Sequence, residues 1–146
     1  MSEPDGVTKN TQETGESSRT GTSVTIEVMS APIQVSDGVT KSVITPGNGQ
    51  MVTKGASVTV HCTGMLTEGL KKFWSTRDPG QTEFTFKAGV GQVIAGWDEG
   101  TMTMSLGEKS RISMVGAKGY GSGGFPAWGI PPNAGLTFEL EIMRIR

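Results

Sequence analysis

The stretch Leu136-Thr-Phe-Glu-Leu-Glu-Ile142 alternates large apolar side chains with polar ones at every position. On an extended strand, successive side chains point to opposite faces, so Thr137, Glu139 and Glu141 share one face and the apolar residues share the other. This period of two predicts a β-strand that packs one face on a hydrophobic core and exposes the other to water.

Segments upstream of this strand repeat the pattern over shorter lengths. Val58, Val60 and Cys62 alternate with Thr59 and His61, which predicts a second half-buried strand. Three more short strands are predicted around Val43-Ile44, Phe84–Phe86 and Ile112–Met114. Glycine and proline lie between these segments, as expected for an antiparallel sheet with turns.

One short segment, about Ala95 to Met102, is the helical candidate. Asp98 and Glu99 would lie in its first turn, where negative charge interacts favourably with the helix dipole. The 22 glycines among 146 residues favour a turn-rich β protein over a helical bundle, because glycine destabilises helices. We therefore predict an α+β domain, a five-stranded antiparallel sheet wrapped around one short helix.

The N-terminal residues 1–22 have a different composition from the rest of the chain. They contain eight Ser or Thr residues, six charged residues and no aromatic ring. Such a segment buries too little apolar surface to offset the entropy of ordering it, so we predict a disordered tail. We place the folded domain at 36–146 and treat 1–35 as an N-terminal extension.

The end of that extension, 23–35, is more ambiguous. Val24, Ile26 and Val28 alternate with polar residues, as in a strand, and Pro32 then interrupts the pattern. An added edge strand and a simple linker fit this sequence equally well.

The charge and the cysteine content exclude several classes of function. A net charge of −1 gives no basic surface for nucleic acid or anionic membrane. The sequence shows neither a signal peptide nor an apolar run long enough to span a membrane. Cys62 is the single cysteine, so no intrachain disulfide is expected, and its place inside a strand favours a monomer over a disulfide-linked dimer. We expect a protein of the cytoplasm or nucleus.

The sequence contains no arrangement of residues that is typical of a nucleophilic, metal or cofactor site. The single histidine, His61, adjoins Cys62 on a strand, so the two face opposite sides and cannot form a dyad. Gly119–Gly124 matches G-x-G-x-x-G, but Phe125–Pro132 follows with three prolines and cannot open the helix that a dinucleotide site needs. We expect a surface loop there, and neither cofactor nor metal.

Aromatic residues are concentrated in the second half of the chain. The nine rings are Phe73, Trp74, Phe84, Phe86, Trp97, Tyr120, Phe125, Trp128 and Phe138. They could form an ordinary core. Tyr120, Phe125 and Trp128, however, lie on a glycine-rich loop, where rings serve binding more often than packing.

Several ordered motifs resemble those of the FKBP family of peptidyl-prolyl isomerases, over about Gly38 to Arg146. They are Ile44-Thr-Pro-Gly47, Val60-His-Cys-Thr-Gly64, Val93-Ile-Ala-Gly-Trp-Asp-Glu-Gly100, Tyr120-Gly and Ile130-Pro-Pro132. Phe73-Trp-Ser-Thr76 and Phe125-Pro-Ala-Trp-Gly-Ile130 are most similar to plant-type single-domain members.

This resemblance implies the activity, the ligands and the site. The protein would catalyse cis–trans isomerisation of X-Pro bonds and so assist protein folding, in an apolar pocket that favours the twisted amide. Proline-containing peptides and proteins would bind there, as would immunosuppressive macrolides. The implied catalytic residues are Phe73, Trp97, Tyr120 and Phe138. The implied binding residues are Phe84, Val93, Ile94, Ile130, Cys62 and Trp74. The backbone N–H of Ile94 and the hydroxyl of Tyr120 would bind ligand carbonyls.

Two positions depart from the pattern of the family. Its small members usually carry tyrosine at Cys62 and aspartate at Trp74, so this pocket would lose a ring and a carboxylate. Neighbours on a regular strand face opposite sides, so Phe73 and Trp74 both line the pocket only if a bulge intervenes. An isomerase, or a binding module that uses the same pocket with weak catalysis, remains consistent with these residues.

Overall fold

The computed structural model describes residues 29–146, so the predicted tail and the alternation at 24–28 lie outside the described part. The strands are β1 Ile33–Ser36, β2 Val39–Thr45, β3 Ser57–Leu66, β4 Lys71–Ser75, β5 Phe84–Lys87, β6 Lys109–Met114 and β7 Leu136–Ile145. One α-helix, α1, spans Ala95–Thr101. Short 3-10 turns occupy Glu68–Leu70, Gly116–Lys118, Gly121–Gly123 and Pro126–Trp128.

All neighbouring strands in the sheet run antiparallel, in the order β1-β2-β6-β7-β3-β4. The ten-residue strand β3 pairs over 58–66 with β7 on one side. On its other side, 63–66 pair with β4 and 57–60 pair with β5. Two strands therefore share one edge of β3.

The sheet within 29–146 has seven strands, so the predicted count of five is wrong. The two additional strands are β1 and β4. β1 has four residues and pairs only with β2 at the edge of the sheet, where burial imposes little alternation on its side chains. The antiparallel sheet with one helix is confirmed.

Helix α1 packs closely on one face of the sheet. A Cβ atom at Gly96 would overlap the side chain of Met114, and one at Gly100 would overlap Ile112. Both partners lie on β6, so the two glycines let the helix approach that strand without a gap. The close approach places Trp97, which lies between them in sequence, inside the core.

A buried ion pair joins β2 to the start of β6. Lys41 Nζ lies 2.8 Å from Glu108 Oε2, and each side chain is only 8% exposed. The ammonium also donates to the carbonyl of Thr103 at 2.8 Å, while Glu108 accepts from the Ser110 hydroxyl at 2.7 Å and the Ser105 N–H at 3.1 Å. The buried charges are paired and hydrogen-bonded, which is the condition for burying them stably.

Candidate functional site

An aromatic pocket opens between α1, the end of the sheet and the loop that follows β6. Its volume is about 470 Å³. Its lining residues are Trp74, Phe84, Gly91, Gln92, Val93, Ile94, Trp97, Tyr120, Trp128 and Phe138. None of them carries a charge, so the pocket suits an apolar ligand with a few polar groups.

Trp97 forms the floor of this pocket and is 4% exposed. Its ring meets those of Phe84, Phe86 and Phe138 edge-on, with centroids 5.7, 5.4 and 5.4 Å away. Among the described residues, the buried indole N–H has no hydrogen-bond partner. Three phenylalanines from β5 and β7 therefore fix the orientation of the indole.

A β-bulge shapes the wall at β4. Gly64 pairs with Trp74 and Met65 pairs with Lys72, so Phe73 is the extra residue between them. The ring of Phe73 lies edge-on to Phe138 at 5.9 Å, behind the pocket. A Cβ at Gly64 would lie 2.9 Å from the Phe73 ring and 2.8 Å from that of Phe138, so glycine makes room for both.

The loop after β6 brings a third tryptophan to the pocket. Phe125 and Ile130 exchange backbone hydrogen bonds at 2.9 and 3.1 Å, which closes a small turn around Pro126–Trp128. Gly129 has φ +72°, which favours glycine and ends that turn. As a result, Trp128 stacks on Trp74, with ring centroids 5.5 Å apart and planes 12° apart.

The remaining ring contacts join this wall to the floor. Trp128 also stacks on Phe73 at 5.9 Å and meets Phe125 edge-on at 5.0 Å. Phe125 in turn stacks on Tyr120 at 5.1 Å. Together with the contacts around Trp97, these pairs connect all nine aromatic rings of the chain into one continuous cluster. The rings thus form both a core and a pocket wall.

Seven of the ten residues named from the sequence line the pocket. They are Trp74, Phe84, Val93, Ile94, Trp97, Tyr120 and Phe138. The structure does not bring the other three into the lining: Phe73 packs behind it, and Ile130 and Cys62 are only 2% and 3% exposed within the core.

Three lining residues were not among the predicted site residues: Gly91, Gln92 and Trp128. A signal existed for Trp128, because its loop is rich in rings and glycine. Gly91 and Gln92 carry no such signal.

Two polar groups at the pocket have no partner within 29–146. The Tyr120 hydroxyl makes no hydrogen bond there, and the Ile94 N–H donates none. The carbonyl of Ile94, by contrast, accepts from the N–H groups of Trp97 and Asp98 at 3.0 and 3.1 Å, at the start of α1. The pocket therefore holds a hydroxyl and an amide N–H that can bind ligand carbonyls.

Burial raises the pKa of two groups near the pocket, Tyr120 and Cys62. The pKa of Tyr120 is raised, first by burial and then by repulsion from the negative charge that Cys62 carries when it is ionised. Burial raises the pKa of Cys62 well above its ordinary value. Tyrosine and cysteine are both uncharged when protonated, so Tyr120 can donate a hydrogen bond throughout the neutral range.

His61 and Cys62 do not form a catalytic pair. The His61 ring contacts the Thr76 hydroxyl through Nδ1 at 2.9 Å and lies 3.9 Å from the Glu83 carboxylate through Nε2. Cys62 is buried in the core. Among the residues described, no three His, Cys, Asp or Glu side chains gather to hold a metal ion, and no helix is long and apolar enough to cross a membrane.

Comparison with known proteins identifies the family. The family profile described as FKBP-type peptidyl-prolyl cis-trans isomerase matches residues 48–143. A protein of Vicia faba, Peptidyl-prolyl cis-trans isomerase FKBP12, is 54% identical over 109 residues, which cover 73% of this chain and 97% of that protein. The protein of the same name from Arabidopsis thaliana is 51% identical over 111 residues, covering 75% and 99%.

A third relative comes from a yeast. The Peptidyl-prolyl cis-trans isomerase of Schizosaccharomyces pombe is 50% identical over 109 residues, covering 74% of this chain and 95% of the relative. The chain belongs to the FKBP-type peptidyl-prolyl cis-trans isomerase family. The predicted resemblance, including its plant-type character, and the prediction of an isomerase are confirmed.

Proposed function

We propose that this enzyme isomerises X-Pro bonds of protein substrates in the pocket above Trp97, and thereby assists protein folding. The observation that carries the assignment to this pocket is its composition. Aromatic and aliphatic walls surround two unpartnered donors, and no lining residue is charged. The proline ring of a substrate would pack on Trp97, between Phe84 and Phe138.

The chemistry needs no acid–base group. Rotation about the X-Pro bond breaks no covalent bond, and its barrier of about 18–20 kcal/mol reflects lost amide resonance. The twisted amide of the transition state is less polar than the planar ground state. A pocket that replaces water with aromatic surface therefore stabilises the twisted form relative to the planar one. Each tenfold acceleration requires about 1.4 kcal/mol of this difference.

The Ile94 N–H and the Tyr120 hydroxyl have a different task. Both would donate to carbonyl groups of the peptide and so fix its orientation over Trp97. Tyrosine is protonated at neutral pH and the pKa of Tyr120 is raised further, so this contact persists over the neutral range. Orientation of the peptide contributes by holding the reacting amide in the geometry that rotates.

Trp74 occupies the position where the family usually carries a carboxylate. Its indole N–H bonds the Gln81 side chain at 3.4 Å, and its ring stacks on Trp128. If catalysis depends on excluding water from the amide, an aromatic wall at this position serves the reaction without a carboxylate. Macrolides that carry a proline-like ring would enter the same pocket.

The second candidate is a binding module with weak catalysis. The stacked indoles of Trp74 and Trp128 favour this candidate. They form the pocket wall at the position where the family resemblance implies a carboxylate, so a group that could contribute to catalysis is replaced by rings that can bind a ligand. In either case we propose a monomer of the cytoplasm or nucleus that binds neither nucleic acid nor membrane.

A protease-coupled assay on a prolyl peptide separates the two candidates. We expect turnover well above the uncatalysed rate, together with inhibition by a macrolide that competes for the pocket. A protein that is folded by circular dichroism, and binds the peptide without turnover, would establish the binding module instead.

A further inference from the structure

The loop between β5 and α1 forms one wall of the pocket. Gly91, Gln92, Val93 and Ile94 all belong to the lining. The loop turns at Gly89 and Gly91, with φ values of +76° and +79° that favour glycine. Its position decides where the Ile94 N–H meets a substrate.

One carboxylate on α1 accepts two backbone N–H groups of this loop. Asp98 Oδ1 accepts the N–H of Gly89 at 2.9 Å, and Asp98 Oδ2 accepts the N–H of Gly91 at 2.7 Å. Within the described part of the chain, no other acceptor binds an N–H group of 89–94. The loop is also anchored by its own Gln92, whose Oε1 accepts the N–H of Lys87 at 2.7 Å. Hydrogen bonds to an ionised carboxylate are about twice as strong as neutral ones, so the two Asp98 contacts contribute the larger share to the path of 89–91.

The same residue is tied to the pocket floor. Asp98 follows Trp97 in sequence, and its own N–H bonds the carbonyl of Ile94 at 3.1 Å. Helix α1, which carries Trp97, is therefore hydrogen-bonded to the loop 89–94 through both the backbone and the side chain of Asp98. A shift of Asp98 would move the Ile94 N–H relative to Trp97.

We propose that Asp98 is a positioning residue for the isomerase reaction. It holds 89–94 so that the Ile94 N–H and the Val93 side chain face a peptide lying on Trp97. This role rests on the proposed use of the pocket. Asp98 is not itself a lining residue, so it acts through the loop and not by contact with the substrate.

The next residue of the helix provides a matched control. Glu99 carries the same charge, but its carboxylate accepts from Lys118 at 2.9 Å and from the Ser36 hydroxyl, and from no N–H group of 89–94 within the described residues. The hydroxyl of Ser36 and then the Lys118 ammonium lower the pKa of Glu99. Neutralising Glu99 changes the charge of α1 by the same amount and leaves the wall in place.

The test compares Asp98→Asn with Glu99→Gln in the full chain. Asp98→Asn should lower kcat/KM on a prolyl peptide about fivefold to tenfold, since one charge-assisted acceptor is lost and the other weakened. Glu99→Gln should stay within about twofold of the unmodified protein. Asp98→Glu, which keeps a carboxylate on a longer arm, should recover part of the loss.

A second measurement reports on the loop without using activity. In Asp98→Asn the amides of Gly89 and Gly91 should exchange with solvent faster, and the NMR shift of the Ile94 amide on adding the peptide should shrink. If the amides of Asp98→Asn exchange faster but kcat/KM and the Ile94 shift stay unchanged, Asp98 is not a positioning residue, while the proposed function stands. An unmodified protein with no turnover would overturn the proposed function, and with it this role.

Discussion

The indoles of Trp74 and Trp128 lie face to face, with centroids 5.5 Å apart and planes 12° apart. One comes from strand β4 and the other from the turn 126–128, so the stack connects the sheet to the loop after β6. Because both rings line the pocket, this contact forms one of its walls.

Removing Trp128 should open that wall. Trp128→Ala deletes the stacks on Trp74 and Phe73, so we expect kcat/KM on a prolyl peptide to fall about fivefold. The ring is 38% exposed, so the free energy of unfolding should drop by only about 1–2 kcal/mol. Val115→Ala, which removes an exposed side chain outside the lining, is the control. Equal activity of both variants would show that the stack does not serve catalysis.

Restoring a carboxylate tests the mechanism directly. Trp74→Asp should change turnover by no more than about a few fold, because rotation of the amide depends on exclusion of water and needs no acid. The protease-coupled assay on the purified variant measures this. A large gain in rate would mean that the carboxylate contributes to catalysis and that the tryptophan weakens the enzyme.

Gly64 should tolerate no side chain. A Cβ there would press on the rings of Phe73 and Phe138, so Gly64→Ala should cost about 1–3 kcal/mol of stability and reduce kcat/KM as Phe138 moves. Gly123→Ala is the matched control, since its Cβ would meet nothing within 4 Å. Urea unfolding measures the loss of stability, and the activity assay measures the loss of kcat/KM. A Gly64→Ala variant as stable as the unmodified protein would contradict the packing described for the bulge.

The buried ion pair should matter for stability alone. Glu108→Gln leaves the Lys41 ammonium buried without its counter-charge, and we expect a loss of about 3–5 kcal/mol on urea unfolding. Glu139→Gln breaks a pair with Arg111 on the partly exposed sheet surface and should cost less than about 1 kcal/mol. Activity per folded molecule should be unchanged in both variants, because neither glutamate lines the pocket.

Alkaline pH should destabilise the fold through Cys62. The folded-state pKa is raised above the ordinary value of 9.0, so the thiol ionises in the unfolded chain first. The stability that Cys62 contributes is therefore full below pH 9 and falls as the pH rises through that value toward the folded-state pKa. Urea midpoints at neutral pH and at about pH 10 measure the fall. In Cys62→Val the urea midpoint should fall less between these two pH values. An equal fall in the variant would show that Cys62 is not the cause of the alkaline destabilisation.

The strands with clean alternation could be predicted from sequence. β7 and β3 follow a period of two because one face of each lies on the core. β4 lacks that signal, since the extra residue Phe73 breaks the alternation, and β1 is a short edge strand with little buried surface. A bulge depends on the pairing partner, which a single segment of sequence does not reveal.

The site shows a similar division. The floor at Trp97 and the donor at Ile94 lie on one continuous motif, so the resemblance places them together. The position of Trp128 depends on the turn closed between Phe125 and Ile130, which residue spacing alone does not encode. The resemblance puts Cys62 at the pocket wall, but its short side chain ends inside the core.

The distribution of the tryptophans has a practical consequence. The chain contains three, and all three line the pocket. Emission excited through indole therefore comes entirely from the site, without background from elsewhere in the protein. A ligand that binds on Trp97, or separates the rings of Trp74 and Trp128, should change the emission wavelength and the intensity of this fluorescence. The enzyme thus carries its own optical reporter of occupancy, and titrations can be followed on the unlabelled protein.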